Sequence, residues 1–130
     1  MIQWNDDFTI GVKAIDEQHK RLFDIANRAY QLLRNELVLD KYDQIVDIFE
    51  ELKDYTVYHF TYEERYMAEI GYKKLLSHKV YHDDFIEKVK DIDFNKVDQD
   101  QEQYLTGILD FVVHWIKDHI LGVDKKIRQG

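Results

Sequence analysis

A chain of 130 residues with 26 acidic and 18 basic side chains, a formal charge of −8, no proline and no cysteine is the size of one domain, and residues 1–130 are expected to form a single core. The scattered Lys and Arg disfavour nucleic acid and anionic membranes as partners. No apolar run approaches the ~20 residues that span a bilayer, and no charged-then-apolar leader opens the chain, so a cytosolic location is expected.

Long helices are the natural reading of a chain without proline. The spacing predicts a first helix from about Asp16 to Glu36, with Ile15, His19, Leu22, Phe23, Ala26, Tyr30, Leu33 and Leu37 on one stripe. A second, from about Asp40 to Ile70, aligns Ile45, Ile48, Phe49, Leu52, Tyr55, Thr56, His59, Glu63, Tyr66, Met67 and Ile70. Glu64 points more than a right angle away from that stripe. Gly71 supplies a C-terminal stop. A third helix from about Tyr72 to Lys90 turns Leu75, His78, His82, Phe85 and Val89 inward. The fourth, from about Gln99 to Leu121, turns Leu105, Ile108, Val112, Trp115, Ile116 and His119 inward and ends at Gly122, with Asp124 just beyond the break. Short connections make sequential helices antiparallel, so the fold class is all-α, an up-down-up-down four-helix bundle.

The informative residues are the histidines. His59 and Glu63, and His78 and His82, are spaced i, i+4 and share a helix face. His19 and the His119…Asp124 pair bring the stretches to four. Imidazoles with a minority of carboxylates and no thiolate suit iron, zinc, copper or nickel better than magnesium or calcium. Seven ligands are too many for one ion and about right for two ions sharing carboxylates inside a bundle. A lone histidine on an apolar face is more often a hydrogen-bonded core residue. Five histidines and a glutamate on the inward stripes of four helices would be a heavy desolvation burden unless they were paired, and metal ligation removes it. His114, by contrast, falls on the polar face beside Asp110 and Lys117 and reads as a surface residue. Tyr30, Phe49, Tyr55, Tyr66 and Phe85 read as core packing, and Met67 as a gap-filler.

The order His19, His59-Phe60-x-x-Glu63-Glu64, Met67, Gly71-Tyr72, His78-x-x-x-His82 and Trp115-x-x-x-His119-Ile120-x-x-x-Asp124 resembles the hemerythrin family along the whole chain. The opening Trp4, Gly11-Val12, Ile15-Asp16-x-Gln18-His19 and Leu22-Phe23 is similar to the single-domain bacterial branch of that family. Lys73 departs from it where proline commonly follows the Gly-Tyr pair, a change that affects a helix start and not the site. The resemblance implies a non-haem di-iron centre that binds dioxygen, with His78, His82 and His119 on one iron and His19 and His59 on the other. Glu63 and Asp124 would bridge the two together with an oxo or hydroxo group. It further implies one open position on the second iron, beside an apolar pocket lined by Leu22, Phe60, Trp115 and Ile120. The expected function is reversible dioxygen binding for storage, delivery or detoxification, by a protein that is not an enzyme. The alternatives are a di-iron peroxidase or oxygen reductase, and an oxygen or iron sensor. Five imidazoles and only two carboxylates favour binding over the high-valent chemistry of carboxylate-rich bundle sites. An electron donor and the choice between monomer and homo-oligomer stay open. Replacing Glu63 is expected to cost metal far more than replacing Glu64.

Overall fold

The computed structural model describes residues 2–35, 42–90 and 101–129. The expected helix ends at Glu36, Asp40 and Gln99, and Leu37 of the first stripe, lie outside them. Four helices form the expected antiparallel bundle: α1 (Lys13–Arg34), α2 (Tyr42–Glu69), α3 (Leu75–Lys90) and α4 (Gln101–His119). A π-helical turn over Ile120–Asp124 and a short α5 (Lys125–Gln129) follow. There is no strand among the described residues, and none of their helices is long and apolar enough to cross a membrane. The first helix packs on α2 and α4, and α2 on α3. Phe85 of α3 stacks on Trp115 of α4 at 4.1 Å.

The stripes become the core. Ile15, Leu22, Ile25 and Ala26 of α1, Ile45, Phe49 and Leu52 of α2, Phe85 of α3, and Leu105, Leu109, Val112 and Ile116 of α4 are all buried. Ile108, expected inward, is only partly buried, because the buried face of α4 is centred on Leu105, Leu109 and Val112. Ahead of α1 the chain folds back on the bundle, with Trp4 and Phe8 packed on Phe23.

Each helix end that differs from expectation has a local cause. The first helix starts at Lys13, three residues early. The Asp16 carboxylate accepts the backbone N–H groups of Ile10 (2.9 Å) and Gly11 (3.2 Å), drawing the incoming segment against the first turn. Gly11 sits at φ 92°, where a side chain is disfavoured. The third helix starts at Leu75 and not Tyr72, because the Tyr72 N–H closes the end of α2 on the Met67 carbonyl at 2.9 Å. Gly71 is the left-handed residue that this closure requires, at φ 67°. Ile70, in that closing turn, is left 48% exposed and is not part of the inward stripe.

The largest difference is at Gly122. Its φ is not positive, and the helix does not stop there. The Lys125 N–H donates to the Ile120 carbonyl, a five-residue closure in place of the usual four. In an α-helix His119 and Asp124 would point ~140° apart, whereas the wider π turn brings residues five apart onto the same face.

Gly71 and Gly107 make a matched test of backbone conformation, since a Cβ added to either meets no atom within 4 Å. Gly71→Ala is expected to destabilise by about 1–2 kcal/mol through left-handed strain alone. Gly107→Ala, inside α4, is expected to stabilise by about 0.5–1 kcal/mol. Urea unfolding at fixed metal content measures both, and changes of the same sign would contradict the assigned backbone.

Candidate metal centre

All seven residues singled out as ligands meet in the middle of the bundle. His19 comes from α1, His59 and Glu63 from α2, His78 and His82 from α3, His119 from the end of α4 and Asp124 from the π turn. None is more than 6% exposed. They form two overlapping groups, Glu63-His78-His82-His119-Asp124 and His19-His59-Glu63-Asp124, with the donor atoms of each within 4.8 Å of one another. His114 is exposed and belongs to neither.

The two carboxylates are divided between the groups atom by atom. Oε1 of Glu63 lies 2.8 Å from His78 Nε2 and 3.3 Å from His82 Nε2, while its Oε2 lies 3.2 Å from His59 Nε2 and 3.6 Å from His19 Nε2. Asp124 repeats the pattern. Its Oδ1 is 2.9 Å from His78 and 3.0 Å from His119, and its Oδ2 is 3.1 Å from His19. Each carboxylate thus offers one oxygen to a group of three imidazoles and the other to a group of two.

The donor set fits a pair of metal ions. Both oxygens of Glu63 and of Asp124, and both ring nitrogens of His19, are buried without a well-formed hydrogen bond. Unpartnered buried polar atoms cost a few kcal/mol each unless a cation takes their lone pairs. His119 Nε2 lies 3.0 Å from Nε2 of both His78 and His82. Nitrogens ~2.1 Å from a common ion are ~3.0 Å apart at right angles and ~3.4 Å apart at the tetrahedral angle. The observed spacing lies near the right-angle value.

Without a cation, protons play the compensating part. Burial alone would make His19 and His78 less basic, but Asp124 and Glu63 outweigh it and raise both to about 9. His82 is raised against its burial by Glu63 and Glu64. At His59 burial prevails and the value is lowered. Glu63, which burial would raise, is held well below the usual carboxylate range by His19, His59, His78 and His82. Asp124 is lowered too, with His119 and His19 prevailing over burial and the charge of Glu63.

Around the donors lies a layer that the helical stripes only partly reveal. His59 Nδ1 donates to Gln18 Oε1 at 2.7 Å, and His82 Nδ1 to Glu64 Oε2 at 2.9 Å. Glu64 does point away from the donor cluster, yet it reaches the neighbouring helix, which its phase on α2 alone does not disclose. The imidazole faces are fixed by stacking: Phe60 on His82 at 3.8 Å, and Trp115 on His119 at 4.5 Å. A cavity of ≈ 10 Å³ abuts His19, His59, His119 and Asp124. It is lined by the four expected residues, Leu22, Phe60, Trp115 and Ile120, together with Thr56 and Ile116. That volume is near the least that admits one water-sized molecule.

A family model described as the hemerythrin HHE cation binding domain matches residues 10–128. The chain is 52% identical over 126 residues to the bacteriohemerythrin of Clostridium acetobutylicum, spanning 97% of this chain and 98% of that protein. It is 32% identical over 122 residues to the bacteriohemerythrin of Pseudomonas aeruginosa, spanning 93% of this chain and 75% of that one. A crystal structure of wild-type hemerythrin is similar, with a TM-score of 0.78 at 28% identity, over 96% of this chain and 93% of that one.

The raised histidines set the pH dependence of metal uptake. Ligation requires neutral imidazole, and His19 and His78 hold their protons up to about 9. Ferrous or cobaltous ion added to the metal-free protein near neutral pH is therefore expected to expel protons from both, and apparent affinity is expected to rise as pH approaches 9. In the metal-free protein the sign is opposite. A folded value above the unfolded 6.5 gives stability that is complete below 6.5 and lost as pH rises through about 9. Calorimetric titration in buffers of different ionisation enthalpy reads the proton count, and uptake without proton release would refute this charge assignment.

Proposed function

The chain belongs to the hemerythrin family, and on that premise we propose that it binds dioxygen reversibly at a non-haem di-iron centre, for oxygen storage, delivery or detoxification. In this reading His78, His82 and His119 hold one iron, His19 and His59 hold the other, and Glu63 and Asp124 bridge them. The single observation that carries it is the inequality of the groups, five protein donor atoms against four, with a cavity that adjoins both histidines of the smaller group and one of the three in the larger. When bound, the iron pair supplies reducing equivalents and, at the less crowded ion, a vacant position for a small ligand.

The protein's own contribution is to keep that position dry and free of acid. Leu22, Phe60, Trp115, Ile116 and Ile120 present apolar surface to the cavity. Apart from the donors, the polar neighbours are the Trp115 indole, which is not an acid, and Thr56, whose hydroxyl proton is donated to the Leu52 carbonyl at 2.6 Å. No side chain lining the cavity, beyond the metal donors themselves, is placed to deliver a proton. Breaking an O–O bond needs such delivery, so the lining supports binding and release over turnover, and a protein that is not an enzyme. A single domain over residues 1–130 and a cytosolic location belong to the same proposal.

Anaerobic reconstitution with ferrous iron followed by an oxygen titration tests it. The expected result is two irons per chain, one dioxygen taken up per pair, and a visible absorption band that bleaches on degassing. Oxygen that cannot be recovered, with steady consumption of an added reductant, would overturn the carrier reading in favour of a peroxidase or oxygen reductase.

A further inference from the structure

The second helix carries two parallel rows of side chains spaced i, i+4 and offset by one residue. His59 and Glu63 form the row that faces the donor cluster. Phe60 and Glu64 form the other, and both grip the same side chain on α3. Phe60 lies on the face of the His82 ring, with centroids 3.8 Å apart and an interplanar angle of 1°. Glu64 Oε2 accepts from His82 Nδ1 at 2.9 Å, while its Oε1 faces Lys79 Nζ at 3.9 Å near the surface. With Nδ1 engaged as a donor to Glu64, Nε2 is the nitrogen turned to the cluster, 3.0 Å from His119 Nε2 and 3.3 Å from Glu63 Oε1. His59 is held in the same manner from α1, but its acceptor is the neutral Gln18 amide at 2.7 Å.

We propose that Glu64 is a positioning residue that fixes the tautomer of His82, making the three-histidine position the tighter of the two through the hydrogen bond it accepts and the more electron-rich through its charge. The inference rests on the reading that the cluster holds a metal pair. A carboxylate behind an imidazole draws on its N–H and leaves the opposite nitrogen a stronger donor, and a neutral amide does so less. The two positions therefore differ in the electronic push on their histidines as well as in the number of donors. Stronger donation favours the higher charge, so the three-histidine position is the one at which oxidised iron is stabilised more. Lys79, 3.9 Å away and half-exposed, restrains the other Glu64 oxygen without displacing Oε2 from His82.

The test compares wild type, Glu64→Ala and Glu64→Gln. Glutamine keeps an acceptor oxygen for His82 Nδ1 and removes only the charge, whereas alanine removes both. Metal-free protein is titrated anaerobically with Co²⁺ alone, and the reduction potential of the iron-loaded protein is measured in parallel. In Glu64→Ala the tighter of the two Co²⁺ steps is expected to weaken roughly 10–100-fold, with the weaker step little changed. Glu64→Gln is expected to retain most of the Co²⁺ affinity while its reduction potential rises, a shift that loss of packing would not produce. Glu64 is partly exposed at the bundle surface, so matched far-UV spectra of the metal-free variants are expected alongside. Wild-type affinity and potential in Glu64→Ala would overturn the proposal, as would a loss in Glu64→Gln equal to that in Glu64→Ala with the potential unmoved. A wild-type chain that takes up no second ion would instead refute the metal-pair reading on which the proposal stands.

Discussion

Two carboxylates buried at zero exposure, Glu63 and Asp124, set the terms for the rest of this structure. An ionised carboxylate leaves water only if charge of opposite sign comes with it. Five imidazoles do come with them, drawn from all four helices, and no single element of the bundle satisfies either carboxylate alone. The centre is therefore a property of the assembled bundle. Its construction also explains why an internal region this polar coexists with a continuous apolar core. The polar atoms face one another, and the ring faces and aliphatic stems that surround them are apolar and pack as core.

That arrangement depends on a helix that deforms. Asp124 belongs to the same cluster as His119 because the backbone widens into a π turn between them, closing Lys125 N–H on Ile120 O. Had α4 continued regularly, one of the two side chains would face away. Gly122, which reads as a terminator, lies inside this turn and is passed without a left-handed residue. A π turn within an otherwise regular helix is uncommon and tends to mark function, and here its geometric purpose is explicit.

The aromatic residues serve the site twice. Phe60 stacks on His82 and lines the cavity, and Trp115 stacks on His119 and lines it too. Phe85 backs Trp115 at 4.1 Å and so joins this wall to the core. Fixed imidazole faces and an apolar cavity wall follow from the same packing. The cavity that Phe60 and Trp115 wall adjoins both histidines of the smaller group and His119 of the larger.

The sequence by itself determined the class of fold, the helices and the candidate donor residues. Residues spaced three and four apart must share a helix face, so the stripes of His19, of His59 and Glu63, and of His78 and His82 are fixed by local geometry. The outward direction of His114 is fixed in the same way. What the tertiary structure alone decided are the relations between helices. The reach of Glu64 to His82 and of Gln18 to His59 crosses from one helix to the next, and no periodicity within a helix contains it. The same holds for the division of each carboxylate's oxygens between two groups and for the place of Thr56 and Ile116 in the cavity wall. The π turn lies between these cases. The five-residue spacing of His119 and Asp124 is written in the chain, but an α-helix sends such residues ~140° apart, and only the pull of a common buried centre brings them together.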